Sequence, residues 1–158
     1  MTRIHIPIRL RWSDFDAYAH VNNAEMLRLL EEARIEAFWR PDAGAEAARP
    51  TAVIDARPGA PTISLIARQE VEYLAPIPYQ RSPIEVELWI GNLGGASFQI
   101  CDEVFSPDGV QPRVLYTVAS TTLVMVDAAT GRPARIPDEL RELFAPYVEA
   151  PVAFGKRT

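Results

Sequence analysis

Between Trp12 and Asn23 the chain places two carboxylates (Asp14, Asp16), one of its two histidines (His20) and two side-chain amides (Asn22, Asn23). A carboxylate can attack a carbonyl carbon or draw a proton from water that does so. A backbone N–H at a helix start has no partner inside the helix and lies at the positive end of the dipole, so it polarises a carbonyl placed against it. The run is followed at once by helical periodicity: Met26, Leu29, Leu30, Ala33, Ala37 and Phe38 fall on one face. Asn22 is a good N-cap, and Glu25 stands where the acidic half of a capping box would. The chemistry this predicts is a turn carboxylate acting on a carbonyl held by helix-start amides. The structural alternative for Asp16 is a turn residue bonding its own backbone, and for Asn22 a cap of a core helix.

These groups need elements to hold them. His5 to Trp12 reads as a strand with Ile6, Ile8, Leu10 and Trp12 on one face, and Pro7 favours a sheet edge. The helix is predicted over Ala24 to Arg40, stopped by Pro41, with Glu36 and Arg40 as an exposed pair. Residues 42–61 form a long connection with a short strand at Thr51 to Ala56. Strands follow at Thr62 to Leu74 and Ile84 to Ile90. The turn Asn92 to Ala96, with Gly94-Gly95, leads into a returning strand Ser97 to Phe105. Asp102 falls in phase with the apolar residues of that strand, which predicts a bulge there. Ser106 to Gly109 turns, Arg113 to Val126 is the last strand, Asp127 to Pro133 turns again, and Pro137 opens a short helix, Asp138 to Phe144. One long helix with about five strands, joined by hairpin turns, is an α+β domain with an antiparallel sheet over residues 1–158. The sheet's uncovered edges invite self-association.

Composition excludes several classes. A net charge of −5 with no basic run argues against nucleic acid as partner. A single cysteine, Cys101, excludes an internal disulfide and reads as a small buried strand residue of an intracellular chain. With only His5 and His20 there is no zinc spacing, so no metal is expected, nor any cofactor. No signal segment or membrane-length apolar run is present, which places the protein in the cytoplasm. Gly94-Gly95 lacks the spacing of a phosphate loop.

The stretch Arg11-Trp12-Ser13-Asp14-Phe15-Asp16, then His20-Val21-Asn22-Asn23, Met26 and Leu30-Glu31-Glu32-Ala33-Arg34, resembles the hotdog-fold acyl-CoA thioesterases of the 4-hydroxybenzoyl-CoA thioesterase type. Val71-Glu72-Tyr73-Leu74-Ala75-Pro76 is similar to that family's strand ending in tyrosine and proline. Leu123 to Asp127, Gly131-Arg132-Pro133 and Ile136-Pro137 are similar to its closing strand and tail. The resemblance implies a sheet wrapped around a central helix, two subunits pairing sheets edge to edge, and often a dimer of dimers. Its active sites lie between subunits and take an acyl-CoA substrate. By position, Asp16 corresponds to the catalytic carboxylate, Asn23 to the oxyanion donor through its backbone N–H, and His20 to a frequent histidine that is catalytic in plant acyl-carrier-protein relatives. Ala19 stands where these enzymes usually have glycine, so an altered turn is expected, and Tyr18 where the plant relatives place a functional asparagine. The Asn92 to Ser97 hairpin lacks the basic residues that some members set near coenzyme A phosphates, so the residues that hold the carrier are unassigned.

On this reading Asp16 serves as nucleophile or general base, Asn23 polarises the thioester, and His20 orients substrate, holds Asp16 or protonates the leaving thiolate. Asp14 reads as a turn residue, Glu31 and Arg34 as helix-surface or interface charges, and Arg81, Arg113 and Arg132 as candidate phosphate contacts. A hotdog hydratase ranks low, because it needs an Asp and a His five apart around Asn-Pro, whereas Asp16 and His20 are four apart. The alternative from another class is a non-catalytic acyl-thioester-binding or assembly subunit, and an acyl-carrier-protein thioesterase remains open.

Overall fold

The computed structural model describes residues 2–155. Its elements run β1 (Ile4–Ile8), a 3-10 turn (Trp12–Asp14), α1 (Asn23–Phe38), β2 (Thr62–Tyr73), β3 (Ile84–Leu93), β4 (Ser97–Phe105), β5 (Leu115–Asp127) and α2 (Asp138–Phe144). The five strands form one sheet in the order β1-β3-β4-β5-β2, every neighbouring pair antiparallel. β1 and β2, the first strands in the chain, are therefore its two edges. Pro7 sits in β1, where a missing N–H costs no ladder bond on the open side.

The sheet buries one face against α1. Ile4, Ile6 and Ile8 of β1 stand opposite Leu88, Val86 and Ile84 of β3, all buried. Ile100 and Val104 of β4 and Leu123 of β5 continue that face, and Met26, Leu29, Leu30, Ala33, Ala37 and Phe38 of α1 lie against it. The apolar stripe read from the sequence is thus the buried one. At the far end Phe38, Phe98 and Phe144 meet with centroids 5.4–6.3 Å apart, so α2 closes the core with one ring. Fully burying a side chain such as Phe38 contributes about 2–3 kcal/mol by transfer.

The other face of β3 and β4 is covered by the chain's own C-terminal segment. Glu149 N–H donates to Ile90 O at 3.0 Å, and the Trp89 indole N–H donates to Ala150 O at 2.9 Å. Gly155 N–H reaches the carboxylate of Glu72 on β2 at 2.8 Å, so the segment crosses the sheet from β3 to the β2 edge. Cys101 is buried beneath it, on the side of the sheet away from α1, and burial pushes its thiol pKa up. Gly91 makes room here, since a Cβ on it would come within 2.6 Å of the Cys101 sulfur.

Several sequence expectations change. β1 ends at Ile8 rather than Trp12, and Trp12 is turned outward in the 3-10 turn, 77% exposed. α1 ends at Phe38 with Trp39 as an extended C-cap, two residues before Pro41, and the Arg40 N–H donates to Ile54 O at 2.8 Å rather than continuing the helix. Glu36 pairs with Arg49 at 2.9 Å instead of Arg40. Thr51 to Ala56 makes only an isolated bridge, Ile54 to Trp39. The last strand begins at Leu115, not Arg113.

The predicted bulge at Asp102 does not occur. Asp102 stands in regular register between Leu88 and Ala119, facing α1, fully buried. The register shifts lie instead at Ile66/Arg68, Ile90/Asn92 and Val104/Phe105. Arg34 of α1, read as a surface or interface charge, is also buried, only 2% exposed, with one N–H reaching Thr121 Oγ1 at 3.5 Å. Neither carboxylate oxygen of Asp102 nor the Arg34 Nε has a hydrogen-bond partner among the described residues. Burial drives the Asp102 carboxyl up to about 8, opposed by the nearby Arg34 charge, and burial lowers the Arg34 guanidinium.

Candidate active site

The turn ahead of α1 is a small closed loop. Asp16 N–H donates to His20 O at 2.9 Å, and Phe15 bridges Val21. Oδ1 of Asp16 accepts the N–H groups of Tyr18 at 2.8 Å and His20 at 3.3 Å. One carboxylate oxygen therefore shapes the turn, and Oδ2 makes no hydrogen bond among the described residues. Both readings of Asp16 survive in one residue, with the backbone-bonding role as observed geometry.

Ala19 takes the left-handed conformation, φ +61°. It is a conformation that glycine adopts without strain. An alanine there carries strain of about 1 kcal/mol. Tyr18 points to solvent, 82% exposed, and does not line the site.

Asp14, read as a turn residue, does not line the cleft that holds Asp16, His20 and Asn23. Its carboxylate is fully buried and accepts Arg11 N–H at 2.6 Å and the Arg11 guanidinium at 2.9 Å, while its carbonyl accepts Asn22 N–H at 2.8 Å. Asp14 thereby joins the incoming strand segment to the helix start. Val21 N–H binds Ile77 O at 2.9 Å and His20 bridges Pro78, which seats the loop on the segment after β2.

At the helix start Asn22 caps as predicted: its Oδ1 accepts from Ala24 at 2.8 Å and Glu25 at 3.4 Å. The reciprocal bond of a capping box is not made by Glu25. Ala24 and Glu25 being taken, the N–H of Asn23 is left without an acceptor among the described residues. It is the helix-start amide that can polarise a carbonyl.

Asp16, His20 and Asn23 line one cleft of about 450 Å³ with Val21, Met26, Tyr73, Ile77 and Thr117. The structure brings the three predicted residues to one opening, between the helix start and the end of β2. Tyr73 closes it on the sheet side, its hydroxyl donating to Asn23 O at 2.7 Å. Partial burial raises the Tyr73 phenol, so it stays a donor at neutral pH. Tyr73 was visible only as part of a strand-ending pattern. Thr117 carried no signal at all, because it enters through its pairing with Tyr73 across β2 and β5.

The remaining candidates lie elsewhere. Glu31 lines a separate cleft with Arg28, Arg34, Ile66 and Gln69. Arg113 is committed to Glu87 at 2.6 Å and lies over the Phe105 ring. Arg132 stands at the exposed turn after β5. Among the described residues no group of His, Cys, Asp and Glu could hold a metal ion, and no helix is long and apolar enough to cross a membrane.

Residues 10–144 match the model of the thioesterase-like superfamily. The chain belongs to that superfamily. Among curated proteins none matches. Solved structures of superfamily members share the architecture. A thioesterase from Thermus thermophilus, determined with coenzyme A and zinc, is 28% identical with TM-score 0.66, covering 90% of this chain and 92% of its own. A thioesterase superfamily protein from Jannaschia is 22% identical with TM-score 0.73, covering 94% and 95%. A DHNA-CoA thioesterase from Staphylococcus aureus is 19% identical with TM-score 0.70, covering 92% and 91%. The superfamily fold is the hotdog: α1 of this chain is the central helix, and the five-stranded antiparallel sheet wraps it.

Proposed function

We propose that this superfamily member hydrolyses acyl-CoA thioesters. The observation that carries the reading is the meeting of Asp16, His20 and the unpaired Asn23 N–H at one cleft. The thioester carbonyl oxygen accepts the Asn23 N–H, where the helix dipole adds to the polarisation. Oδ2 of Asp16 either attacks the carbonyl carbon, giving an anhydride that water opens, or takes a proton from the attacking water. His20 orients the substrate or protonates the departing thiolate. Tyr73 supports the site by fixing the carbonyl of Asn23, and with it the first turn of α1.

The working unit is a homodimer. β2 is an open edge with Ile63, Leu65, Ile66 and Leu74 exposed along it and beyond its end, and the cleft opens beside Tyr73 on that same strand. A second copy pairing there would cover the apolar side chains and add a wall to the site. The C-terminal segment covers β3 and β4 on the outer face, so a dimer of dimers would be built on other surface. The coenzyme A in the Thermus relative supports acyl-CoA over an acyl-carrier-protein thioester.

Asp16→Asn is the decisive variant. Its amide oxygen can still accept the Tyr18 and His20 N–H groups, so the turn is retained while the charge is lost. Turnover of short, long and aromatic acyl-CoAs is expected to fall by about 10²–10⁴-fold, the usual worth of a general base. Turnover retained within a few-fold refutes the assignment. Absence of hydrolysis by the native chain on every acyl-CoA, with binding intact, makes it an acyl-thioester-binding subunit instead.

A further inference from the structure

The Trp12 indole stacks on the Tyr79 ring, with centroids 4.4 Å apart and planes within 9°. Phe15 meets both rings edge-on, at 6.4 and 5.5 Å, and locks the pair. Despite this Trp12 stays 77% exposed, so its second face is open to solvent. A large aromatic ring held flat from below and bare above is a prepared stacking surface, because its rotamer freedom is already lost.

The two segments that carry these rings also carry arginines. Residues 9–13 and 79–83 hold Arg9, Arg11 and Arg81 and no acid, in a chain of net charge −5. Ile8 pairs with Ile84, which brings these two segments to one corner of the sheet. Arg11 is held by Asp14, whereas Arg9 and Arg81 are exposed and have no partner among the described residues. The corner also adjoins the candidate active site. Phe15 precedes Asp16, and Tyr79 follows Pro78, the residue that bridges His20. A flat ring with two exposed arginines on the segments that carry it suits a purine carrying phosphates: the base stacks and the guanidiniums take phosphate oxygens.

We propose that Trp12 and Tyr79, with Arg9 and Arg81, seat the phosphorylated adenine nucleotide of the acyl-CoA whose thioester enters the cleft. This rests on the hydrolase reading above and names the residues that would hold the nucleotide of its carrier. It supplies the phosphate contacts that the Asn92 to Ser97 hairpin lacks.

The test compares one acyl group carried on coenzyme A, on pantetheine and on an acyl-carrier protein. In Trp12→Ala, the kcat/KM ratio of acyl-CoA to acyl-pantetheine is expected to fall about ten-fold, through KM. Arg9→Gln with Arg81→Gln is expected to lower the same ratio and weaken its dependence on salt. Because the readout is a ratio within one variant, a loss of folded enzyme does not imitate it. Adenosine 3′,5′-bisphosphate, titrated calorimetrically, is expected to bind the native chain and to bind Trp12→Ala about ten-fold more weakly. An unchanged ratio, an equal loss on all carriers, or a loss confined to the acyl-carrier protein overturns the proposal, the last assigning the corner to a protein partner. If no carrier thioester is hydrolysed, the hydrolase reading fails, and the nucleotide titration still decides the site.

Discussion

Replacing Asp102 by asparagine is expected to stabilise the protein, and by more as pH rises. The native carboxyl is sealed between α1 and the sheet and holds its proton up to about pH 8. In the unfolded chain it releases that proton near the ordinary value of 3.8. Between these limits the native state binds more protons than the unfolded one, so stability falls as pH rises through the window and levels off above it. Each pH unit inside the window costs about 1.4 kcal/mol, so at pH 7 the loss approaches roughly 4 kcal/mol. That is a large part of the 5–15 kcal/mol typical of a whole domain. Asparagine imitates the protonated acid in shape and has no proton to release. The assay is urea unfolding of both proteins at pH 5, 6, 7 and 8, at one fixed protein concentration so that self-association contributes equally. The advantage of Asp102→Asn should grow by about 1.4 kcal/mol per unit between pH 5 and 7. A constant difference would mean that Asp102 does not titrate in this range. Such constancy is what an Asp102 carboxylate kept ionised by Arg34 in the native state would give, and the argument from burial would then be wrong.

Two further substitutions probe the site's scaffold. Asn22→Ala removes the acceptor for the Ala24 and Glu25 N–H groups and should cost about 1 kcal/mol in urea unfolding; a loss under about 0.3 kcal/mol would show that the cap is redundant. Ala19→Gly relieves the left-handed strain at φ +61° and should raise the melting temperature by roughly 2–4 °C, where an unchanged or lower value would locate the strain elsewhere.

The helix start was readable because its signals are local. A cap at Asn22, an apolar stripe from Met26 to Phe38 and a carboxylate-rich turn all lie within about thirty positions of one another, and each follows from short-range sterics and hydrogen bonding. The Asp16, His20 and Asn23 cluster was legible for the same reason. The fold class followed from one helical pattern among strands and turns, with the resemblance adding the wrapping of sheet around helix.

Asp102 shows where local reading fails. A carboxylate in phase with Phe98, Ile100 and Val104 argues for a bulge if each strand is considered alone, since a buried charge is costly. The register between Leu88 and Ala119 overrides that choice, because shifting one residue would expose the whole apolar face of β4. Trp12 shows the reverse error. Alternation placed it on one face with Ile6, Ile8 and Leu10, yet the strand ends at Ile8 and Asp14 binds back onto Arg11.

By itself the sequence determined the cap, the helix stripe, the turn carboxylate and the alternation of β3, because each depends on neighbours a few positions away. Only the tertiary structure decided that Tyr73 and Thr117 wall the cleft, that Tyr79 lies under Trp12, and that Arg34 and Asp102 are buried on facing elements. Those contacts join residues far apart in sequence: Tyr73 with Thr117, 44 positions, and Trp12 with Tyr79, 67 positions. Strand order sets such distances, and no short-range preference encodes strand order.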